Sequence, residues 1–279
     1  MTSTRTTITF IGGGNMATAL IGGLAGKLCA APDITVVDPN SQALAKLQAD
    51  FGVTVKSAVD AAAARSDVIV LATKPQQLRA AADALLPHMD TSHRPLLISI
   101  AAGIRARDLA GWFGGHSRIV RTMPNTPALI GAGITGLAAL PGVSSEDKQL
   151  ADNILRAVGQ TVWLDNEDLL DPVTAISGSG PAYVFYFVEA MMEAAIELGL
   201  SAEQGKQLAL ATFIGAAQLA AQSSETPAVL RERVTSKGGT THAALTSMAQ
   251  DNVAAAIKRA LHAASQRAGE LGDEFGKTS

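Results

Sequence analysis

The chain has 279 residues, of which 47% are hydrophobic, with a formal net charge of -3 and a single cysteine. That length accommodates two domains with well-buried cores, and the weakly acidic balance, with no cluster of Lys and Arg, argues against nucleic acid as a partner. Cys29 has no second cysteine to pair with and no Cys or His at metal-ligand spacing, so it reads as a small buried hydrophobe in a reducing compartment, the cytoplasm.

The N-terminal "MTSTRTTITF" lacks the apolar core and cleavage site of a signal peptide, so export is not expected. Short apolar runs then recur at 8–11, 34–37, 53–55, 67–72, 96–101 and 118–122, separated by alanine-rich or polar segments. Continuous apolar strands alternating with helical segments predict a parallel sheet covered on both faces. After Asp165 β-branched runs nearly vanish and helical spacing takes over at 182–198, 202–221, 227–234 and 252–271. The expectation is an α/β Rossmann-like parallel sheet domain over residues 1–165, followed by an all-α domain over 166–279. The charge-free stretch 207–224 approaches membrane-spanning length, but its Gln and Ser residues make it a helix buried among other helices, and no membrane span is expected. Glu189, Glu193 and Glu197 share one helix face, most simply as a solvated stripe.

Within "ITFIGGGNMATALIGGL", Gly12, Gly14 and Ala17 fit the G-x-G-x-x-G/A pattern of a dinucleotide-binding turn. The first glycine makes the turn, the second admits the pyrophosphate and the third position packs helix on strand. An ordinary tight strand-to-helix turn is the alternative. Asp38 ends the second run, where an acidic side chain accepts hydrogen bonds from adenosine ribose hydroxyls, which favours NADH; equally, "DPN" at 38–40 is a common chain turn. Thr73, Lys74, Ala101 and Ala102 follow strand ends, where open α/β sheets bind ligands. In "RTMPNTPALIGAG" two prolines fix the backbone around Asn125 and Thr126, either to meet a nicotinamide carboxamide or as a rigid connector.

The segments "MPNTPALIGAG", "SGSGPAYVFYFVEAM" at 177–191 and "VTSKGGTTHAAL" at 234–245 together resemble the pyrroline-5-carboxylate reductase family, in the right order between Ile8 and about Glu270. The resemblance implies reduction of the cyclic imine L-1-pyrroline-5-carboxylate to L-proline by NADPH or NADH. It also implies self-association of the helical domain into a dimer or a ring of dimers. Gly12 to Ala17, with Asn15 and Met16 between them, then matches the pyrophosphate motif, followed by Asp38 and Pro39. "ATKP", Ala72 to Pro75, lies beside the cofactor, and Asn125 is the polar group of the nicotinamide segment. Glu167 falls where the family has an acidic residue near bound proline. Ser236, Gly238, Gly239, Thr240 and Thr241 match the substrate loop, although Lys237 stands where the family usually has Pro. Asp38 also departs from the neutral or NADP-friendly residue that many members carry, so the choice of cofactor stays open.

Chemically, a glycine-rich helix start suits the substrate carboxylate through its free amides, and Thr241 suits the imine nitrogen as positioner or proton relay. His242 reads as a surface or capping residue, and His88, His93, His116 and His262 have no metal spacing, so no metal is expected. Two rivals share the architecture: a β-hydroxyacid dehydrogenase, whose interdomain helix would carry a catalytic lysine that 181–198 lacks, and a non-catalytic dinucleotide sensor.

Overall fold

The computed structural model describes residues 6–90 and 93–276. It divides into two compact units, one running to Ser179 and resuming at Ala264, the other Gly180–Ala263.

Among the described residues the first unit has eight strands: β1 (Ile8–Ile11), β2 (Ile34–Val37), β3 (Thr54–Lys56), β4 (Val68–Leu71), β5 (Leu96–Ser99), β6 (Ile119–Met123), β7 (Gly133–Ala139) and β8 (Gly159–Trp163). Its helices are α1 (Asn15–Leu24), α2 (Ser41–Phe51), α3 (Ala61–Ala64), α4 (Pro75–Leu85), α5 (Ala106–Trp112), α6 (Ser145–Arg156) and the short α7 (Leu170–Val173). The sheet order is β3-β2-β1-β4-β5-β6-β7-β8. β1 is in register with both neighbours, Ile8 opposite Ile34 and Val68.

Alternation along each strand sends successive side chains to opposite faces. Ile8, Phe10, Val36, Val68, Val70 and Ile98 pack with Leu20, Leu24 and Leu155 on one side. Ile11, Val37, Ile69, Leu71 and Leu97 pack with Leu78, Leu85 and Trp112 on the other. Every residue of β1, β4 and β5 is buried, which is why these strands read as unbroken apolar runs. Each fully buried Leu, Ile, Val or Phe contributes about 1.5–3 kcal/mol of transfer free energy. Cys29 is half-buried, and burial followed by the charge of Asp33 pushes its thiol up, so it stays protonated.

The β6–β7 pair is antiparallel within a sheet whose other pairs are the expected parallel ones. β7 and β8 have no counterpart among the six apolar runs, and for β7 a physical cause is visible. The reason is close packing. A Cβ at Gly133 would lie 2.9 Å from Ala128 Cα, and one at Gly136 would lie 2.9 Å from Val173 Cγ1. β7 therefore uses glycine and alanine where a free-standing strand uses β-branched residues.

The second unit is helical: α8 (Gly180–Glu197), α9 (Ala202–Gln222), α10 (Pro227–Arg233), α11 (Thr240–Gln250) and α12 (Val253–Gly276), whose last turns belong to the first unit. The division differs from the 165/166 boundary of the sequence because α7 continues from the sheet, Gly136 touching Leu170 and Val173. Arg105 also ties the end of α12 to α5, through Asp273 Oδ1 at 3.0 Å and Gly269 O at 3.4 Å.

A capping box of Ser201 and Gln204 starts α9. Gly205 of that helix packs against Ala195 and Met192 of α8. The stretch 207–224 is not buried within the chain. Leu208, Ile214 and Leu219 are each more than half exposed, as are Phe185 and Tyr186 of α8. Glu189, Glu193 and Glu197 are exposed too. No helix of the described residues is long and apolar enough to cross a membrane.

Arg118, just before β6, grips the first turn of α6 through a two-pronged ion pair with Asp147 at 2.7 and 3.0 Å. The Arg118 guanidinium holds the Asp147 carboxyl below the usual range, so the pair stabilises the fold fully above the ordinary carboxylate pKa of about 4. Its contribution is lost as pH falls through the depressed folded-state value. Asp147→Asn is expected to cost about 1–3 kcal/mol near pH 7, several degrees in melting midpoint. The gap from the parent chain should narrow below about pH 4; a gap of equal size at pH 7 and pH 3 would contradict this.

Candidate functional site

At the carboxyl end of β1 the chain turns sharply. Gly12 has φ +103°, and a Cβ there would lie 2.7 Å from Ala72 O, so only glycine passes between β1 and β4. The Gly12 amide donates to Val37 O at 2.8 Å, and the Gly13 amide donates to Asp38 Oδ2 at 2.8 Å. Gly14 then caps α1 without any side-chain hydrogen bond, and a Cβ built on it would meet nothing within 4 Å. The first turn of α1, opened by the exposed Asn15, carries no acidic residue. Its amides and dipole thus face open space, the arrangement that binds phosphate. Ala17 is buried and Met16 packs against the same core, which fixes the helix on the sheet.

A cavity of about 690 Å³ opens here, lined by Gly12, Gly14, Asp38, Pro39, Thr73 and Lys74 among others. That volume suits a cofactor-sized ligand. Thr73 Oγ1 is buried and has no hydrogen-bond partner among the described residues, so a donor or acceptor on a ligand would satisfy it. The Ala72 amide donates to Ile11 O, and Pro75 starts α4 directly after Lys74. Ala101 and Ala102 follow β5 on the same sheet edge but do not line this cavity. A dinucleotide fits the residues present: open glycine, uncapped helix amides and an unpartnered hydroxyl.

The Asn125 side chain is not a free amide. Its Oδ1 accepts from the Ile134 amide at 3.0 Å, and its Nδ2 donates to Ser177 O and Oγ at 3.3 Å. It therefore clamps the loop between β6 and β7 to the π-helical turn Thr174–Gly178 that leads into α8. Any contribution to a nicotinamide comes through the placement of this loop.

Glu167 lies in an ionic cluster. Its Oε1 accepts from the Ala106 amide at 2.6 Å, at the otherwise uncapped start of α5, and from Arg121 Nη1. Arg121 is buried. Nearby Asp171 has its carboxyl pushed up by burial, against the pull of Arg105 and Arg121. Arg121, Arg105 and Ser177 escaped the sequence reading; the one available signal was an arginine inside the apolar run at 118–122, where a buried cation requires a partner.

In the second unit, residues 236–239 form the turn ahead of α11. Gly238 is left-handed at φ +76°, and the Gly239 amide closes the turn on Ser236 O at 3.0 Å. Gly239 caps α11 without a side-chain hydrogen bond. Ser236, Lys237, Thr240 and His242 are exposed and Thr241 is half-buried. No group of three His, Cys, Asp or Glu among the described residues is placed to hold a metal.

Residues 167–271 match the family model described as "Pyrroline-5-carboxylate reductase dimerisation", and residues 7–103 match "NADP oxidoreductase coenzyme F420-dependent". The pyrroline-5-carboxylate reductase of Pseudomonas aeruginosa is 45% identical over 270 residues, covering 97% of this chain and 98% of the relative. This chain belongs to the pyrroline-5-carboxylate reductase family. Among solved structures, the reductase of Coxiella burnetii superposes with a TM-score of 0.90 at 39% identity, covering 96% of this chain and 99% of that one. The Plasmodium falciparum pyrroline carboxylate reductase, solved with NADP bound, gives 0.85 at 30% identity, with 96% and 98% covered. The fold of the family is thus present over nearly the full length; the first matched segment spans β1 to β5, and the second runs from just before α7 into α12.

Because Gly12 is sterically required while Gly14 faces open space, the two glycines separate folding from binding. Gly14→Val should leave the melting midpoint within a few degrees of the parent and weaken NAD(P)H binding by about tenfold or more, read by fluorescence titration. Gly12→Ala should lower stability by about 1–3 kcal/mol through strain in the turn. Unchanged cofactor affinity in Gly14→Val would contradict the assignment of the cradle.

Proposed function

We infer that this chain reduces L-1-pyrroline-5-carboxylate to L-proline with NAD(P)H. The observation that carries the reading is membership of the reductase family across 97% of the chain, joined to a glycine cradle with uncapped helix amides. When bound, NAD(P)H supplies a hydride to the imine carbon, and the ring nitrogen takes a proton.

In this reading the amides of Asn15, Met16 and Ala17 hold the pyrophosphate, with Gly12 and Gly14 giving it room and Thr73 Oγ1 adding a hydrogen bond. Lys74 offers a cation at the same edge, while Pro75, Ala101 and Ala102 follow strand ends there, outside the cavity lining. The turn Ser236 to Thr241 grips the substrate carboxylate through the amides that start α11, helped by the helix dipole. Lys237 adds a positive charge, which favours an anion, in place of rigidity. The Thr241 hydroxyl positions the imine nitrogen or relays its proton, since an unperturbed hydroxyl is too weak an acid to drive protonation. Glu167, neutralised by Arg121, acts as a positioning residue. No covalent intermediate is needed, so orientation and exclusion of water carry the rate enhancement.

The sheet unit serves as the cofactor domain and the helical residues that follow it serve substrate binding and dimerisation, roles the sequence divided at 165/166. The apolar side chains left bare on α8 and α9 support self-association, which we read as a dimer or a ring of dimers. The cytoplasm, where this chemistry meets its reduced cofactor, is the expected location, with no nucleic-acid partner.

The test is oxidation of NADH and of NADPH with pyrroline-5-carboxylate, using a 2-keto acid as control. Turnover with the imine alone is expected; silence with both cofactors, in protein that still binds a dinucleotide, would favour the sensor. Thr241→Ala is expected to lower kcat by about 10²-fold, the scale of a lost positioning contact, with cofactor affinity within about threefold. Undiminished turnover would remove the role given to Thr241.

A further inference from the structure

We propose that Asp38 makes this chain select NADH over NADPH, by fixing a carboxylate where the 2′-phosphate of NADPH would have to lie. The inference rests on the reading of the cavity as a dinucleotide site and is independent of which imine is reduced.

Asp38 stands immediately after β2 and lines the cavity. It is held from both sides: Oδ2 accepts from the Gly13 amide and Oδ1 from the Asn40 amide, each at 2.8 Å. A side chain tethered at both oxygens to backbone amides cannot swing aside to admit a second anion. Each carboxylate oxygen retains further acceptor capacity, which matches the hydroxyl donors of an unphosphorylated ribose. A 2′-phosphate offers only acceptors and close to two negative charges, so it brings repulsion without a compensating hydrogen bond.

Compensation from neighbouring groups is poor. Among the described residues that line the cavity, Lys74 is the one cation, and it follows β4, which lies two strands from β2 across β1. Two inter-strand spacings place their strand ends roughly 10 Å apart. Lys56, at the end of β3, is paired with Asp60. Lys46 lies exposed on α2 and does not line the cavity. Pro39 has no N–H to offer. The Asn40 Oδ1 is occupied in capping α2, accepting from Gln42 and Ala43 amides at 3.1 and 3.2 Å. Its Nδ2 and the Ser57 hydroxyl remain as neutral donors, and among the described residues no arginine lines the cavity. Recognition of a 2′-phosphate calls for the bidentate cation that is missing here.

The test measures binding without substrate. NADH and NADPH are titrated against the intact chain by nicotinamide fluorescence, and ADP-ribose and 2′-phospho-ADP-ribose are compared as competitors. NADH is expected to bind at least about tenfold more tightly, and ADP-ribose to outcompete its phosphorylated analogue by a similar factor. Asp38→Asn and Asp38→Ser are expected to tighten NADPH binding and weaken NADH binding, so that the ratio falls by about tenfold or more. Equal affinities in the parent chain, or tighter binding of NADPH, would overturn the proposal. So would variants that weaken both cofactors in equal proportion, since Asp38 would then act only as a brace for the turn. If either variant fails to fold, the parent-chain comparison of the two ADP-ribose probes still decides. Should the predicted ratio be found in protein that does not reduce pyrroline-5-carboxylate, the substrate reading fails and the selectivity stands.

Discussion

The approach of Gly12 to the backbone of Ala72 is the constraint on which the cofactor half of the molecule depends. Strands β1 and β4 are hydrogen-bonded neighbours, and the chain leaving β1 must pass over the end of β4 before it can start α1. A side chain at Gly12 would force those strand ends apart. With the side chain absent, α1 begins directly above the sheet, its amides face outward and its Leu20, Ile21 and Leu24 are driven into the core. The apolar contacts that hold α1 down and the open amides at its tip are therefore two results of one turn. Asp38 completes it by bonding Gly13 and Asn40, which locks the ends of β1 and β2 together and leaves a fixed negative charge at the rim.

The helical unit follows another logic. α8 and α9 pack on each other through small residues, with Gly205 against Ala195, yet leave aromatic and aliphatic side chains facing away. A monomeric surface rarely carries so many large apolar groups on adjacent helices. The match of residues 167–271 to a dimerisation family points to self-association, which would give this surface its cover. The same unit carries the turn at 236–239, where tight closure on Ser236 leaves the start of α11 bare. Both units thus present a helix start without a side-chain cap, the two places proposed for the pyrophosphate and the carboxylate.

Much of this was legible in the chain, for identifiable reasons. β1, β4 and β5 announce themselves because burial on both faces demands uninterrupted apolar residues, and the glycine turn shows because steric need leaves few substitutes. β7 was hidden since Gly133 and Gly136 are dictated by contacts with Ala128 and Val173, which overrides strand propensity. The importance of Asn125 was visible in "MPNTP", but its bonds reach Ser177, 52 positions away, so its role as a clamp was not. Glu167 drew notice through resemblance alone; its partners Arg121 and Ala106 lie 46 and 61 positions distant. The stretch 207–224 reads as a helix buried among others, yet its apolar side chains are exposed within the single chain, and nothing local in the sequence marks that difference.

In the reaction of this family, hydride passes from the nicotinamide to the imine carbon of a pyrroline carboxylate. Its most direct test is isotopic: the chain is incubated with pyrroline-5-carboxylate and NADH or NADPH carrying deuterium on the transferable face of nicotinamide C4, and the proline formed is analysed by mass spectrometry. Proline with one deuterium, on the carbon that was doubly bonded to nitrogen, is predicted. Proline without label, or cofactor oxidation without proline, would contradict it.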